Sequence, residues 1–584
     1  MKSKNRHNVR KYLRNTAGAL PVPPTGSPYT GRFFETRWSP EAVILSAAKD
    51  LRLARREILR CAQDDTSHLA GSFPKKPTRV RTGSPAPTIH GSGRPIRRMV
   101  GAGLAVALAL ALLFAACDSP ATAIEVVPAR IVSTPTSLES TPTHEALISS
   151  ASAGWSTYLS DNAHSGFNQA EADINATTAP TLKQHWMYHA HGGISVQPVE
   201  ADGMIYWGSW DGMEHAMDLK GHQVWAANLG STQGCIRTVG VASTATVATV
   251  AIGGTKTPVV FVGGGNGHFY ALTASNGRVI WQTPLASSWA DFIWSSPVLY
   301  KGSVYIGVAS FADCPTVQGR LVQMSAKTGA IQHIFNAVPA SCQGGAVWDT
   351  PAIDERTGEL YLATGNPDVC STAEPYADAV IELHASNLAF VGSWQVPPSQ
   401  TVDDSDFGSA PTLFTATIAS VSRALVGVAH KNGRYYAFAR GAINRGPVWT
   451  RKIARGGGCP ECGKGSISPS AWDGTRLYVA GGRTAINGTK CRGNVRALDP
   501  ATGAFLWEHC LTDGTVLAAV TVVPGVVVVE DGSVMVVLAA TSGQTLFSYK
   551  DPTKGSIFYG AASISNGMLY VGNFDGNFYA FGLA

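Results

Sequence analysis

The sequence predicts an all-β chain whose repeat region folds as a single eight-bladed β-propeller, and three observations predict it. A unit reading as strand, turn, strand, turn, strand recurs eight times at a period of roughly 40 to 60 residues, the spacing of propeller blades. Each unit sets a glycine-bearing tight turn between two apolar runs. Several units end in a Trp placed just after an Asn-Gly or Thr-Gly pair.

The copies begin near Gly203, Pro258, Gly302, Gly358, Ala424, Gly474, Pro524 and Gly567. The last is the clearest: Met568 to Val571 form an apolar strand that meets Gly572, Asp575-Gly576 turn the chain, and Phe578 to Phe581 form the next strand. Asp211-Gly212, Asn266-Gly267 and Asn432-Gly433 place glycine where a two-residue hairpin needs positive φ. The recurrence of Trp225, Trp281, Trp449 and Trp507 at blade ends marks blade-to-blade packing rather than a cofactor box. The last copy stops at Ala584 after two recognisable strands. A ring must hide its first and last edges, so the missing outer strands are expected from the start of the domain, around Trp155 to Phe167 or Trp186 to His189.

The repeats occupy about 430 residues, a normal size for a single ring that grows by repetition. Only 15% of the chain is charged and it holds 62 Gly, as short strands and tight turns require. The net charge of +6 belongs to the N-terminus: residues 1–98 hold 20 Lys and Arg against 6 Asp and Glu, leaving 46 − 20 = 26 basic and 40 − 6 = 34 acidic residues beyond. The repeat region is thus mildly acidic, and no nucleic-acid partner is indicated.

From Met99 to Cys117 runs an apolar segment of signal-peptide length, preceded by Arg94, Arg97 and Arg98 and followed at once by Asp118, Ser119 and Pro120. It is too short for a comfortable transmembrane helix. Its end, Phe114-Ala115-Ala116-Cys117, resembles a bacterial lipobox, which makes Cys117 the acylated residue of a lipoprotein. Residues 1–98 then read as an over-called start, with the initiator near Met99 or at the codon of Val80, or as a disordered basic leader. Residues 118–150, rich in Ser, Thr and Pro, read as a tether to a propeller spanning 151–584. The expected location is outside the cell, lipid-anchored on the outer face of the bacterial membrane or in the periplasm.

Eight cysteines remain beside Cys61 and Cys117, and an even number in an exported chain favours disulfides. Cys491 and Cys510 suit adjacent strands of one blade. Cys459-Pro-Glu-Cys462 suits a local disulfide: Gly463 stands where haem attachment would need His, so no haem is expected, and no second Cys pair lies close enough for zinc.

Ligands of propellers bind at the mouth of the central channel, on loops that break the repeat. The largest departures run Gly344-Gly-Ala-Val-Trp348-Asp-Thr-Pro, Ala363-Thr-Gly-Asn366-Pro367, Asp403-Asp-Ser-Asp406-Phe407-Gly408 and His430-Lys431-Asn-Gly. In this series the chain, from Trp155 to Ala584, resembles the PQQ-dependent alcohol dehydrogenases, and among them the polyvinyl-alcohol-dehydrogenase-like branch of PQQ-repeat propellers. The resemblance implies a pyrroloquinoline quinone (PQQ) stacked on Trp348 and contacted by Lys431, and calcium held by Asn366 and Asp406, with Asp406 as general base. The same relatives carry a calcium-binding Glu after a strand like Val304 to Val308. Here the segment reads Ala309-Ser-Phe-Ala312-Asp313-Cys314, so Asp313 is a shorter stand-in displaced by one position. Their vicinal Cys pair is replaced by a lone Cys235 followed by Arg237, a residue suited to a PQQ carboxylate.

These roles are chemically coherent: calcium takes oxygen ligands, a carboxylate removes the alcohol proton as hydride leaves, and an ammonium stabilises the reduced oxyanion. The expected partners are a small or polymeric alcohol and an external electron acceptor. Each residue also has a packing role open to it: Trp348 as a blade aromatic, Asn366 as a turn-former, Asp406 in a solvated acidic run, Lys431 as a surface charge. The alternative function is a non-catalytic envelope scaffold or binding module with protein partners. No Ser-His-Asp set or pair of opposed carboxylates supports a hydrolase.

Overall fold

The computed structural model describes residues 154–584 apart from 236, 369 and 554. The leader at 1–98, the apolar segment at 99–117 with Cys117, and the tether at 118–150 lie outside the described residues. Eight antiparallel sheets, each with four main strands, form the eight blades of the expected propeller. Every copy read in the sequence supplies the second strand of one blade, from Met204–Gly208 in blade 1 to Met568–Gly572 in blade 8. Among the described residues only three short 3₁₀ turns depart from strand and loop.

Ring closure uses one of the two expected segments. Lys183–His189 lies antiparallel to Asn577–Gly582, with Lys183 opposite Gly582 and His189 opposite Asn577, and so becomes the outer strand of blade 8. The other segment does something different. Residues 155–168 bond in turn to the inner strand of every blade. Trp155 exchanges backbone bonds with Glu200 in blade 1, and Ser156 accepts from Val247 in blade 2. Asn162 donates its amide to Leu299 O in blade 3 and accepts from Ile353 N in blade 4. Ala163 accepts from Leu413 in blade 5, Ser165 from Trp472 in blade 6 and Gly166 from Val522 in blade 7, while Asn168 donates to Ile564 O in blade 8. Left-handed backbone at Leu159, Ser160, His164 and Gly166 lets so short a segment bend around the axis. Inner strands leave polar backbone groups facing the channel, and this segment satisfies at least one such group in each blade.

Neighbouring blades are joined by apolar contact and by the recurring Trp. Tyr206 of blade 1 packs with Val260 and Val262 of blade 2, and the same pattern continues around the ring. Trp225, Trp281, Trp449 and Trp507 donate their indole N–H to Ala274, Ala326, Pro500 and Ala540 in the next blade. Each ring lies against a turn glycine: a Cβ at Gly277, Gly329, Gly503 or Gly543 would come within 2.4 to 2.6 Å of it. Trp186 makes the same contact on Gly221 and donates to Leu219 O, so the strand that closes the ring docks like the others. Replacing Trp225 by Ala removes this contact and a buried hydrogen bond, and should cost about 3 kcal/mol in denaturant unfolding. A loss below about 1 kcal/mol would show that the docking contact carries little of the ring's stability.

Candidate functional site

The blades leave a cavity of about 770 Å³ on the ring axis, and all six site residues expected from the sequence line it: Arg237, Asp313, Trp348, Asn366, Asp406 and Lys431. Trp348 stands four residues before the inner strand Ala352–Asp354. At the same position the next blade has Gly408, four before Thr412–Ile418. A Cβ on Gly408 would lie 2.4 Å from the Trp348 indole, so the absent side chain is what lets the ring extend over the neighbouring blade. Gly345 N donates to Asn366 O (2.8 Å) and Gly365 N to Ala346 O (2.9 Å), which ties the Trp348 loop to the Asn366 loop.

Asp406 and Lys431 are the centre of the site. Neither is solvated: the Lys431 side chain is 8% exposed and that of Asp406 7%. Lys431 Nζ donates to Asp406 Oδ2 at 2.5 Å and to Asp404 Oδ2 at 2.8 Å. It also sits 5.7 Å from the Trp348 ring centroid, within cation–π range. Asp406 Oδ1 accepts from Asn366 N at 2.5 Å, and Asp406 O accepts from Lys431 N at 3.0 Å. Asp406, Asn366 and Lys431, from three separate loops, therefore meet in one hydrogen-bonded group.

The electrostatics follow from burial and crowding. Asp313, Asp349, Asp404 and Asp406 share the cavity wall with Lys431. Burial pushes the Asp406 carboxyl up to about 7; Lys431 pulls against that shift and Asp404 adds to it. Burial also opposes the charge on Lys431, but Asp406 and Asp404 outweigh it and hold the ammonium above the usual lysine range. Asp313 is raised by burial and then by Asp404, with Lys431 opposing.

Asp349 was not expected from the sequence. Burial lifts its carboxyl well above the usual range, and neither of its oxygens has a hydrogen-bond partner among the described residues. A signal was present: Asp349 stands three residues before its inner strand, where four other blades carry Ser243, Ser295, Ser409 and Ser468.

Three of the four disulfides among the described residues hold loops that line the cavity. Cys459 pairs with Cys462 and Cys491 with Cys510, as expected, and Cys342 pairs with Cys370 across the loops that carry Trp348 and Asn366. Cys235 is not alone: it is bridged to Cys314, next to Asp313. The Cys459–Cys462 loop presents Pro460 and Glu461 to the cavity. Arg237 lies 5.6 Å over the Trp210 ring.

The donor set suits a hard cation and a planar anionic cofactor. Crowded carboxylates beside Asn366 supply the oxygen ligands that calcium prefers. An indole extended across Gly408, with an ammonium above it, suits an aromatic ring that carries negative oxygens.

The eight repeated blades, with their turn glycines and docked Trp residues, define a PQQ-repeat β-propeller. Residues 215–373 and 421–583 match the PQQ_2 family model, described as outer membrane protein assembly factor BamB, and the chain belongs to this family. It is 26% identical over 492 residues to the polyvinylalcohol dehydrogenase of Sphingopyxis sp. (strain 113P3), covering 72% of this chain and 71% of that protein. It is 22% identical over 468 residues to the polyvinylalcohol dehydrogenase of Pseudomonas sp, covering 69% and 70%. The fold is similar to the crystal structure of quinohemoprotein alcohol dehydrogenase from Comamonas testosteroni, with a TM-score of 0.59 at 18% identity over 74% of this chain and 80% of that one.

The Lys431→Met variant tests the central ion pair. Losing the ammonium strands a buried carboxylate and should cost about 3 to 5 kcal/mol at pH 8. A carboxyl raised from its ordinary 3.8 to about 7 favours the folded state at low pH and loses that contribution as pH rises through the higher value. The penalty of Lys431→Met, measured by urea unfolding, should therefore shrink at pH 5. An equal penalty at both pH values would contradict this electrostatic account.

Proposed function

We propose that the chain is an exported quinoprotein that oxidises an alcohol with PQQ and calcium, passing the electrons to an external acceptor. The observation that carries this reading is the convergence of Trp348, Asn366, Asp406 and Lys431, four residues from four loops, on one axial cavity. PQQ with its calcium ion would supply the electrophilic quinone that takes up hydride.

The protein's own residues do the rest. Trp348 offers the flat apolar face for the cofactor, and Arg237 offers a guanidinium for a carboxylate. Asn366 and Asp406 offer oxygen to the cation, with Asp313 as a further candidate ligand. Asp406 takes the hydroxyl proton of the alcohol as general base. Lys431 holds a fixed positive charge where negative charge develops on reduction. The polyvinylalcohol dehydrogenases among the relatives support an alcohol, small or polymeric, as substrate. Four disulfides suit an oxidising compartment, the setting in which Cys117 would anchor the protein by lipid to the membrane.

One observation favours a second reading, a non-catalytic envelope scaffold: Ala312-Asp313-Cys314 stands where the resemblance asks for a Glu. Titration with PQQ and calcium, followed by Trp fluorescence, separates the two. The dehydrogenase reading expects saturable, calcium-dependent quenching that is lost in Trp348→Ala. It also expects reduction of an artificial acceptor across an alcohol panel, with kcat lowered by about 100-fold or more in Asp406→Asn. No saturable binding and no acceptor reduction would leave the scaffold.

A further inference from the structure

Three residues of the candidate site, Asn366, Asp406 and Lys431, come from separate loops, yet each follows a residue bonded to a single aspartate in blade 4. We propose that Asp378 is a positioning residue that fixes the spacing of these three groups from behind the cavity. The inference rests on the reading above only for what the spacing is for.

Asp378 lies just before the strand Ala379–His384, with its side chain 4% exposed. Its backbone N–H donates to Gly365 O at 2.7 Å, one residue before Asn366. Its Oδ2 accepts from Ser405 Oγ at 2.8 Å, one residue before Asp406. Its Oδ1 contacts His430 Nε2 at 2.7 Å, one residue before Lys431. The imidazole tautomer follows from its other partner. His430 Nδ1 accepts from Asn432 N at 2.9 Å, so the proton sits on Nε2 and is donated to Asp378. Phe407 fills the space between the arms, its ring edge-on to His430 at 4.5 Å, and its N–H donates to Thr364 O.

The arrangement has a visible conformational cost. Asp378 holds φ +48°, a left-handed backbone that a non-glycine residue keeps only where its surroundings enforce it. Here the reverse turn lets one residue offer its N–H to one loop and its carboxylate to two others. Asp378 does not line the cavity, so its effect on a bound group would pass entirely through its neighbours. A short, rigid support of this kind matters because a site loses affinity and rate when its groups shift by about 1 Å.

The test uses the ligand-free protein first. Backbone hydrogen exchange is compared in wild type, Asp378→Ala, Asp378→Asn and Glu382→Gln. Glu382 is a control in the next strand: it is buried and bonded to Tyr361 and Gly441 N, and none of its bonds reaches the three loops. A positioning role predicts that Asp378→Ala, which removes the carboxylate and keeps the backbone N–H bonded to Gly365 O, speeds exchange at 405–407 and 430–432 together and changes 364–366 less. It predicts that Asp378→Asn stays close to wild type, since its amide oxygen still accepts from His430 and its NH₂ can donate to Ser405 Oγ. If Asp378→Ala fails to fold, Ser405→Ala removes one arm and should loosen 405–407 alone. Exchange in Asp378→Ala that matches Glu382→Gln at both 405–407 and 430–432 would overturn the proposal, as would no selective change in Ser405→Ala. Titration with PQQ and calcium is the second readout: Asp378→Ala should bind about tenfold or more weakly and Asp378→Asn within about threefold of wild type. Ala and Asn variants that bind alike would also overturn it. A wild-type protein that binds no PQQ would count against the dehydrogenase reading, and the exchange data would still judge the brace.

Discussion

Closure of the ring is the constraint on which the rest of this structure depends. Once Lys183–His189 pairs with Asn577–Gly582, eight inner strands face one axis, and equivalent positions in every blade look at one another across it. A residue four places before the inner strand then becomes part of a common floor, whatever its type. Where that residue is Trp348 and its neighbour is Gly408, the floor gains a broad aromatic surface that no single blade could present. The segment 155–168, bonded to the inner strand of every blade, holds the same eight strands in step near the axis.

On that frame the departures from the repeat carry the chemistry. The loops bearing Trp348 and Asn366 belong to blade 4 and those bearing Asp406 and Lys431 to blade 5, so the four converge on one side of the axis. Burying several carboxylates there is expensive, and one ammonium answers only part of it. The raised carboxyls of Asp313, Asp349 and Asp406 express that imbalance, which a bound cation would relieve. On the proposed reading, a cation held by these carboxylates would link the stability of the site to its activity.

Much of the fold was legible in the sequence because a propeller writes itself repeatedly. Turn glycines, apolar second strands and terminal Trp residues obey local rules that need no knowledge of the partner blade. Closure was legible only as two alternatives, since Trp155 to Phe167 and Trp186 to His189 are both short and close to the first blade. Only the pairing register separates an outer strand from an axial brace. The site residues were legible as types in order along the chain. Their burial was not: Lys431 looked like a turn charge and Asp406 like one acid in a solvated run, and what distinguishes them is their meeting between two loops. Asp378 and His430 carried no signal, because a hub is defined by bonds to three distant loops. Cys235 and Cys314, separated by 79 residues, gave no hint of their pairing either.

The most direct test of the account is a crystal structure of the protein grown with PQQ and calcium. The cofactor should lie inside the axial cavity against the Trp348 indole, with the cation bonded to Asp406 and Asn366. A cavity that stays empty at saturating cofactor, or a cofactor bound away from Trp348 with the Lys431–Asp406 bridge untouched, would contradict it.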